Sequence, residues 1–162
     1  MLPEKNTARY ITFSAAIAAL YVVLAIMFAP ISYGVVQVRI AEALTILPLF
    51  TSAAVPGLFL GCILANVFGG CVILDIVFGS LATLIGALLG RYLRFNRWLV
   101  PIPAVLSNTV IIPFVLKYGY GEPVPLWLSA LYIFAGEIIS CYILGEVLAS
   151  ALLKHKELFS KK

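Results

Sequence analysis

The chain has 162 residues, of which 63% are hydrophobic and only 11% charged, and its formal net charge at pH 7 is +4. Soluble domains are typically about 45–50% apolar and about 25% charged, so this composition excludes an ordinary soluble domain and indicates a membrane protein. The positive charge does not indicate nucleic-acid binding, because no basic stripe interleaved with aromatic residues is present.

Six apolar segments follow one another along the chain. The first, residues 10–29, is too long for the apolar region of a secretory signal peptide. Residues 56–90 are too long for one crossing of about 20 residues, and Gly69 and Gly70 divide them. The predicted fold is an all-α integral membrane protein, a single domain with six transmembrane helices at about residues 10–29, 38–54, 56–68, 72–93, 98–116 and 126–153.

The basic residues predict the orientation of these helices. With six spans, nine of the eleven Lys and Arg residues fall on one side, and only Arg39 and Lys117 fall on the other. Basic residues are enriched on the cytoplasmic side of membrane proteins. Both termini are therefore predicted to be cytoplasmic. The nine residues are Lys5, Arg9, Arg91, Arg94, Arg97, Lys154, Lys156, Lys161 and Lys162.

Three acidic residues, Glu42, Asp75 and Glu137, lie within the predicted spans. A charged side chain at the centre of a bilayer costs about 2.5–3.5 kcal/mol on the translocon scale and usually marks a functional site. Asn66 and Asn108 fall at similar predicted depth. The five side chains predict a pocket open to the outside, and three acids against Arg39 favour a cationic solute.

Each of these polar residues also has a structural interpretation. Glu42 follows Arg39 by three residues, a spacing at which two side chains pair along one helix. Asp75 is placed to cap the fourth helix. Asn66 and Asn108 are candidates for ordinary hydrogen bonds between helices. A structural role is harder to find for Glu137, which has no basic residue within a helical turn.

Aromatic residues near the predicted mouth are candidates for stacking on a flat ligand. These are Tyr33 and Phe68, together with Tyr118, Tyr120 and Trp127. For the last three residues, anchoring at the membrane–water interface is the alternative interpretation.

Small residues predict two kinds of helix contact. Ala15, Ala16 and Ala19 share one side of the first span, where close approach favours docking to another membrane protein. Two GxxxG pairs are interpreted as packing within the bundle. These are Gly57 with Gly61 and Gly86 with Gly90.

The chemistry required of an enzyme is absent from the sequence. The chain has no GxxxxGK[ST] motif for ATP hydrolysis and no His–Ser or His–Cys pair within the spans. Cys62, Cys71 and Cys141 lack metal-ligand spacing, and the single histidine, His155, lies in the basic tail. We therefore expect no enzymatic activity, no metal site and no cofactor.

Two segments carry a family resemblance. The run RIAEALTILP at residues 39–48 and the run DIVFGSLATL at residues 75–84, with Gly69 and Gly70 between them, resemble the QueT family. These proteins are substrate-binding (S) components of energy-coupling factor (ECF) transporters of the bacterial cytoplasmic membrane. The resemblance extends over essentially the whole chain.

The resemblance implies uptake of a queuosine precursor, 7-aminomethyl-7-deazaguanine (preQ1). It also implies a transmembrane coupling protein and two ATPase subunits as partners, with Ala15, Ala16 and Ala19 facing the coupling protein. Glu42, Asp75 and Glu137 would then bind the N–H edge and the ammonium group of the ligand. Two alternatives stay open: an S component for another flat cationic vitamin-like solute, and a structural membrane subunit that binds no ligand.

Overall fold

The computed structural model describes residues 7–32 and 38–154, and the regular structure in these two ranges is helical throughout. Five helices, a 3-10 helix and two short helical turns follow one another. In chain order these are α1 (Thr7–Met27), a short helix (Ala29–Ser32), the 3-10 helix (Ile40–Leu49), α2 (Ala54–Phe68), α3 (Asp75–Tyr92), a 3-10 turn (Arg97–Leu99), α4 (Ile102–Gly119) and α5 (Leu126–Lys154).

Four helical stretches in the described ranges are long and apolar enough to cross a membrane: Thr7–Met27, Asp75–Tyr92, Arg97–Gly119 and Leu126–Lys154. The shortest has 18 residues, which is about 27 Å at 1.5 Å per residue and close to the thickness of the hydrocarbon core. They correspond to the first, fourth, fifth and sixth predicted spans. The regular structure of the described residues is therefore all helical, and four of the helices have the length and composition of membrane spans.

The second predicted span, residues 38–54, differs in the structure. The chain forms a 3-10 helix of 10 residues there, Ile40–Leu49, with Pro48 inside it and residues 41–48 all buried. At about 2.0 Å per residue this helix extends about 20 Å, less than the hydrocarbon thickness. It contacts α1, α3 and α5. This segment is therefore a buried 3-10 helix, shorter than the predicted span of residues 38–54.

The division of residues 56–90 at the glycine pair is confirmed. Helix α2 ends at Phe68, the backbone N–H of Gly69 donates to the carbonyl of Ala65, and Gly70 has a φ of 68°. This left-handed conformation is one that glycine adopts without steric cost. The chain therefore turns at Gly70 and returns into α3.

The two ends of the bundle are distinguished by contacts between distant segments. At one end the Tyr10 hydroxyl of α1 donates to the Ser52 carbonyl (3.4 Å), and Leu148 and Ala149 near the end of α5 pack with Phe50. The first turns of α1 and the last turns of α5 therefore lie at the same end of the bundle. At the opposite end α2 and α4 finish and α5 begins.

The outer surface is apolar, with aromatic residues near both ends. Large side chains such as Ile73 (78% exposed) and Val147 (66% exposed) point outward, which is expected of a surface that faces lipid. Aromatic residues of this kind are typical of the membrane–water interface. The exposed aromatic residues are Phe68, Tyr118 and Trp127 near one end and Tyr92, Phe95 and Trp98 near the other.

Both glycine pairs are used for packing within the bundle, as predicted. A Cβ atom added at Gly61 would lie 2.8 Å from the Cβ of Tyr21 on α1, and one at Gly86 would lie 2.7 Å from the Cα of Ala104 on α4. The helices approach so closely at these positions that only a hydrogen fits. Helix α1 therefore packs on α2 through glycine, and α3 packs on α4 in the same way.

Replacing Gly61 with valine is expected to lower the free energy of unfolding by about 1–3 kcal/mol, because the added side chain overpacks the contact with α1. The measurement is thermal unfolding of the detergent-purified protein. Leu60→Val is the control, since Leu60 is 49% exposed on the lipid-facing side of the same helix. Equal unfolding temperatures for the two variants would contradict the proposed packing.

Candidate functional site

The polar residues predicted from the sequence to line a pocket are buried in the bundle, and we call them the acidic cluster. Three acids and one arginine leave an excess of two negative charges when all are ionised. Their contacts divide them into a deep group and an outer group. The members of the cluster are Arg39, Glu42, Asn66, Asp75, Asn108 and Glu137.

The deep group is built around two carboxylates, Glu42 from the 3-10 helix and Glu137 from α5. Oxygen atoms of these residues and the Sγ of Cys141 lie within 4.8 Å of one another, and all three residues are buried. The Asn108 amide Nδ2 donates to Glu137 Oε1 (3.0 Å), and the Cys141 thiol donates to Glu137 Oε2 (3.0 Å). The Tyr21 hydroxyl donates to Glu42 Oε1 (2.6 Å).

Two acceptor atoms of the deep group have no hydrogen-bond partner among the described residues. They are Glu42 Oε2 and Asn108 Oδ1, and both residues are 0% exposed. An unsatisfied buried polar atom typically destabilises a protein by about 1–3 kcal/mol, and more if it is charged. These two acceptors are therefore available to a ligand that carries N–H donors.

The outer group consists of Asp75, its hydrogen-bond partners Tyr120 and Asn66, and Arg39, which is bonded to Asn66. The Tyr120 hydroxyl donates to Asp75 Oδ2 (2.9 Å), and Asn66 Nδ2 donates to the Asp75 backbone carbonyl (3.1 Å). The Arg39 guanidinium donates through Nη2 to Asn66 Oδ1 (3.3 Å). Asp75 Oδ1 has no partner among the described residues. Asn66 therefore makes the interhelical bonds considered from the sequence, while Asp75 keeps one free oxygen.

Tyr120 is placed to donate to Asp75 over a wide pH range. It follows the last residue of α4 and is partly exposed. Its partial burial, and then the neighbouring Asp75 carboxylate, raise the pKa of Tyr120 above its usual value. The phenol therefore stays protonated and neutral at physiological pH.

All three acids lie in or directly beside a segment that is not regular α-helix. Asp75 begins a π-helical turn, Asp75–Gly79; Glu137 directly precedes another, Ile138–Leu144; and Glu42 lies in the 3-10 helix. Such irregular turns are frequent at functional sites, since they re-aim side chains out of the helical repeat. Gly79, the last residue of the first turn, leaves room for the Asp75 carboxylate, because a Cβ there would lie 2.7 Å from Asp75 Oδ1 in its present position.

Two structural interpretations of the acids do not hold. Arg39 is hydrogen-bonded to Asn66, with a longer contact to Cys62, rather than to Glu42. Asp75 lies in the first turn of α3, but its Oδ2 accepts from the Tyr120 hydroxyl and its Oδ1 has no partner among the described residues, so its side chain does not cap the backbone. Pairing along one helix and capping therefore do not account for Glu42 and Asp75.

Four other predicted positions lie away from the cluster or outside the described part of the chain. Phe68 is 67% exposed on the outer surface, so the structure does not bring it to the acids. Tyr33 lies outside the described residues. Tyr118 and Trp127 are exposed near one end of the bundle, the arrangement expected of interfacial anchors.

Sequence reasoning missed two residues of the deep group. Cys141 follows Glu137 by four residues, so helical spacing was a usable signal for this contact. Tyr21 had no comparable signal, because its partner Glu42 lies 21 residues away on another segment. Its position depends on the close packing of α1 on Gly61.

Carboxylate and thiol atoms at these separations are also placed to hold a metal ion. In the observed arrangement both oxygens of Glu137 accept hydrogen bonds from neutral donors. Glu137 thus already accepts hydrogen bonds from an N–H and an S–H group. The N–H groups of an organic ligand would bind to the cluster in the same way. A metal ion is the competing occupant, and the binding assays proposed below include a chelator for this reason.

Comparison with known proteins gives one family. The model of the QueT transporter family matches residues 11–154, which is nearly the whole chain. No curated protein and no solved structure matches the chain.

Proposed function

We propose, since this chain belongs to the QueT transporter family, that it is the substrate-binding component of an importer for a queuosine precursor. It would capture 7-aminomethyl-7-deazaguanine from outside the cell and deliver it inward. The observation that carries the proposal is the buried acidic cluster, whose free acceptors Glu42 Oε2, Asp75 Oδ1 and Asn108 Oδ1 have no partner among the described residues.

The chemistry of the ligand complements this cluster. The 7-deazaguanine ring is flat and bicyclic, carries an N–H edge, and in this precursor bears a primary ammonium group. N–H donors on a cation form charge-assisted hydrogen bonds with carboxylates, which are about twice as strong as neutral ones. A neutral or anionic solute would leave the excess negative charge of the cluster uncompensated.

The energy for transport would come from partner subunits. The sequence has no P-loop, so ATP hydrolysis is assigned to two ATPases, joined to this chain by a transmembrane coupling protein as in an ECF transporter. Ala15, Ala16 and Ala19 are exposed on the side of α1 that the bundle leaves uncovered. Their small side chains favour close helix approach, which supports this face as the docking surface.

We also propose the bacterial cytoplasmic membrane as the location, with both termini cytoplasmic and six membrane-inserted segments. Arg91, Arg94 and Arg97 fall at the end of the bundle where α3 finishes and where α1 begins. Basic residues concentrated at that end agree with a cytoplasmic location.

Binding of 7-aminomethyl-7-deazaguanine is expected to stabilise the purified protein. A ligand at 100 times its dissociation constant adds about 2.7 kcal/mol to the free energy of unfolding. The measurement is thermal unfolding in detergent with a metal chelator present, and guanine and thiamin serve as controls. Stabilisation by thiamin but not by the deazaguanine would favour another vitamin-like ligand, and no stabilisation by any of them would favour a structural subunit.

A further inference from the structure

We propose that the deep group binds the ammonium group of the ligand, with Glu42 and Glu137 on either side of it, while Asp75 belongs to the part of the site that meets the ring. This assignment rests on the proposed function and makes it more specific. The family resemblance left open which of the three acids would bind the N–H edge and which the ammonium group, and the contacts favour one assignment.

Electrostatics favour a cation between the two carboxylates of the deep group. Oxygen atoms of Glu42 and Glu137 lie within a group of ligand atoms no more than 4.8 Å apart. Two carboxylates this close do not both ionise readily unless a positive charge lies nearby. Arg39 acts electrostatically on both carboxylates, but its hydrogen bond goes to Asn66 Oδ1 and its single charge balances only one of them. The ammonium of a ligand would supply the second positive charge.

The geometry of the free acceptors also favours an ammonium. Both oxygens of Glu137 accept hydrogen bonds and Glu42 Oε1 accepts from Tyr21, so the free acceptors of the deep group are single atoms on different helical segments, Glu42 Oε2 and Asn108 Oδ1. An ammonium has three N–H donors that point in different directions, which suits single acceptors on separate segments.

The outer group lacks these features. Asp75 is not a member of the close group that Glu42, Glu137 and Cys141 form. Its Oδ2 accepts from the neutral Tyr120 hydroxyl, and its Oδ1 is free. Asp75 therefore has one free oxygen, as Glu42 does, but no second carboxylate in a close group with it, so the outer group suits a neutral ring N–H rather than the ammonium.

The test compares two ligands that differ only in the ammonium group, 7-aminomethyl-7-deazaguanine and 7-methyl-7-deazaguanine. Dissociation constants are measured by calorimetry, with a chelator present, for the native protein and for Glu42→Gln and Asp75→Asn. Each variant removes one charge and keeps nearly the same shape. We expect Glu42→Gln to reduce the preference for the aminomethyl ligand about tenfold or more, since a hydrogen bond to a charged group is lost. Asp75→Asn is expected to weaken the binding of both ligands by a similar factor.

Several results would overturn the assignment while leaving the proposed function intact. One is that Asp75→Asn loses the preference for the aminomethyl ligand over the methyl ligand while Glu42→Gln keeps it. Another is that Glu42→Gln weakens the binding of both ligands equally. Glu137→Gln serves as the second deep variant if Glu42→Gln does not fold. By contrast, failure of the folded native protein to bind either deazaguanine would remove the proposed function itself. If the ligands bind only after a divalent metal ion is added, the deep group binds that metal ion rather than the ammonium group.

Discussion

Replacing Glu137 with glutamine is expected to lower the affinity for 7-aminomethyl-7-deazaguanine at least tenfold while the protein stays folded. Hydrogen bonds to a charged group contribute about 1.5–3 kcal/mol, and about 1.4 kcal/mol corresponds to a factor of ten in affinity. Glutamine nearly preserves the shape of the side chain and can still accept the bond that Asn108 donates to Glu137. The expected loss therefore comes from the charge.

The measurement is titration of the purified variant with the ligand, alongside its thermal unfolding without ligand. Glu146→Gln is the matched control, because it makes the same chemical change on the same helix. Glu146 lies away from the acidic cluster and pairs with Arg97 at 3.3 Å. Native affinity in Glu137→Gln would remove Glu137 from the binding site, and a loss of similar size in both variants would indicate an indirect effect.

Replacing Ala19 with phenylalanine is expected to block uptake of the ligand and leave binding unchanged. Ala19 is exposed on α1, on the side opposite the residues that pack into the bundle, such as Ala18 and Tyr21. A large ring at a tightly packed helix contact typically costs about 1–3 kcal/mol. That cost corresponds to about a 5- to 150-fold weaker association with a partner.

The measurement is uptake of labelled ligand by cells that produce the coupling protein and both ATPases, together with binding by the purified variant. Ala135→Phe is the control, because Ala135 is an exposed alanine on α5. Normal uptake by Ala19→Phe would show that the partner docks elsewhere. Loss of uptake in both variants would indicate a general defect in membrane insertion rather than a specific docking surface.

Most contacts between the site residues lay beyond sequence reasoning, because they join segments that are distant in the chain. Tyr21 meets Glu42 across 21 residues, and Tyr120 meets Asp75 across 45. The exception is the contact of Glu137 with Cys141, which keeps the ordinary i, i+4 spacing of a helix although a π turn begins directly after Glu137.

The sequence by itself determined the class of the protein, the glycine turn and the choice of buried polar residues. Long apolar runs, the pair Gly69 and Gly70, and a charge within an apolar segment can each be recognised without knowledge of any contact. The tertiary structure alone decided that residues 40–49 form an interior 3-10 helix, that Glu42 and Glu137 meet, and that Asp75 pairs with Tyr120. These features depend on how segments distant in the chain pack together, because burial and hydrogen-bond partners are properties of the assembled bundle.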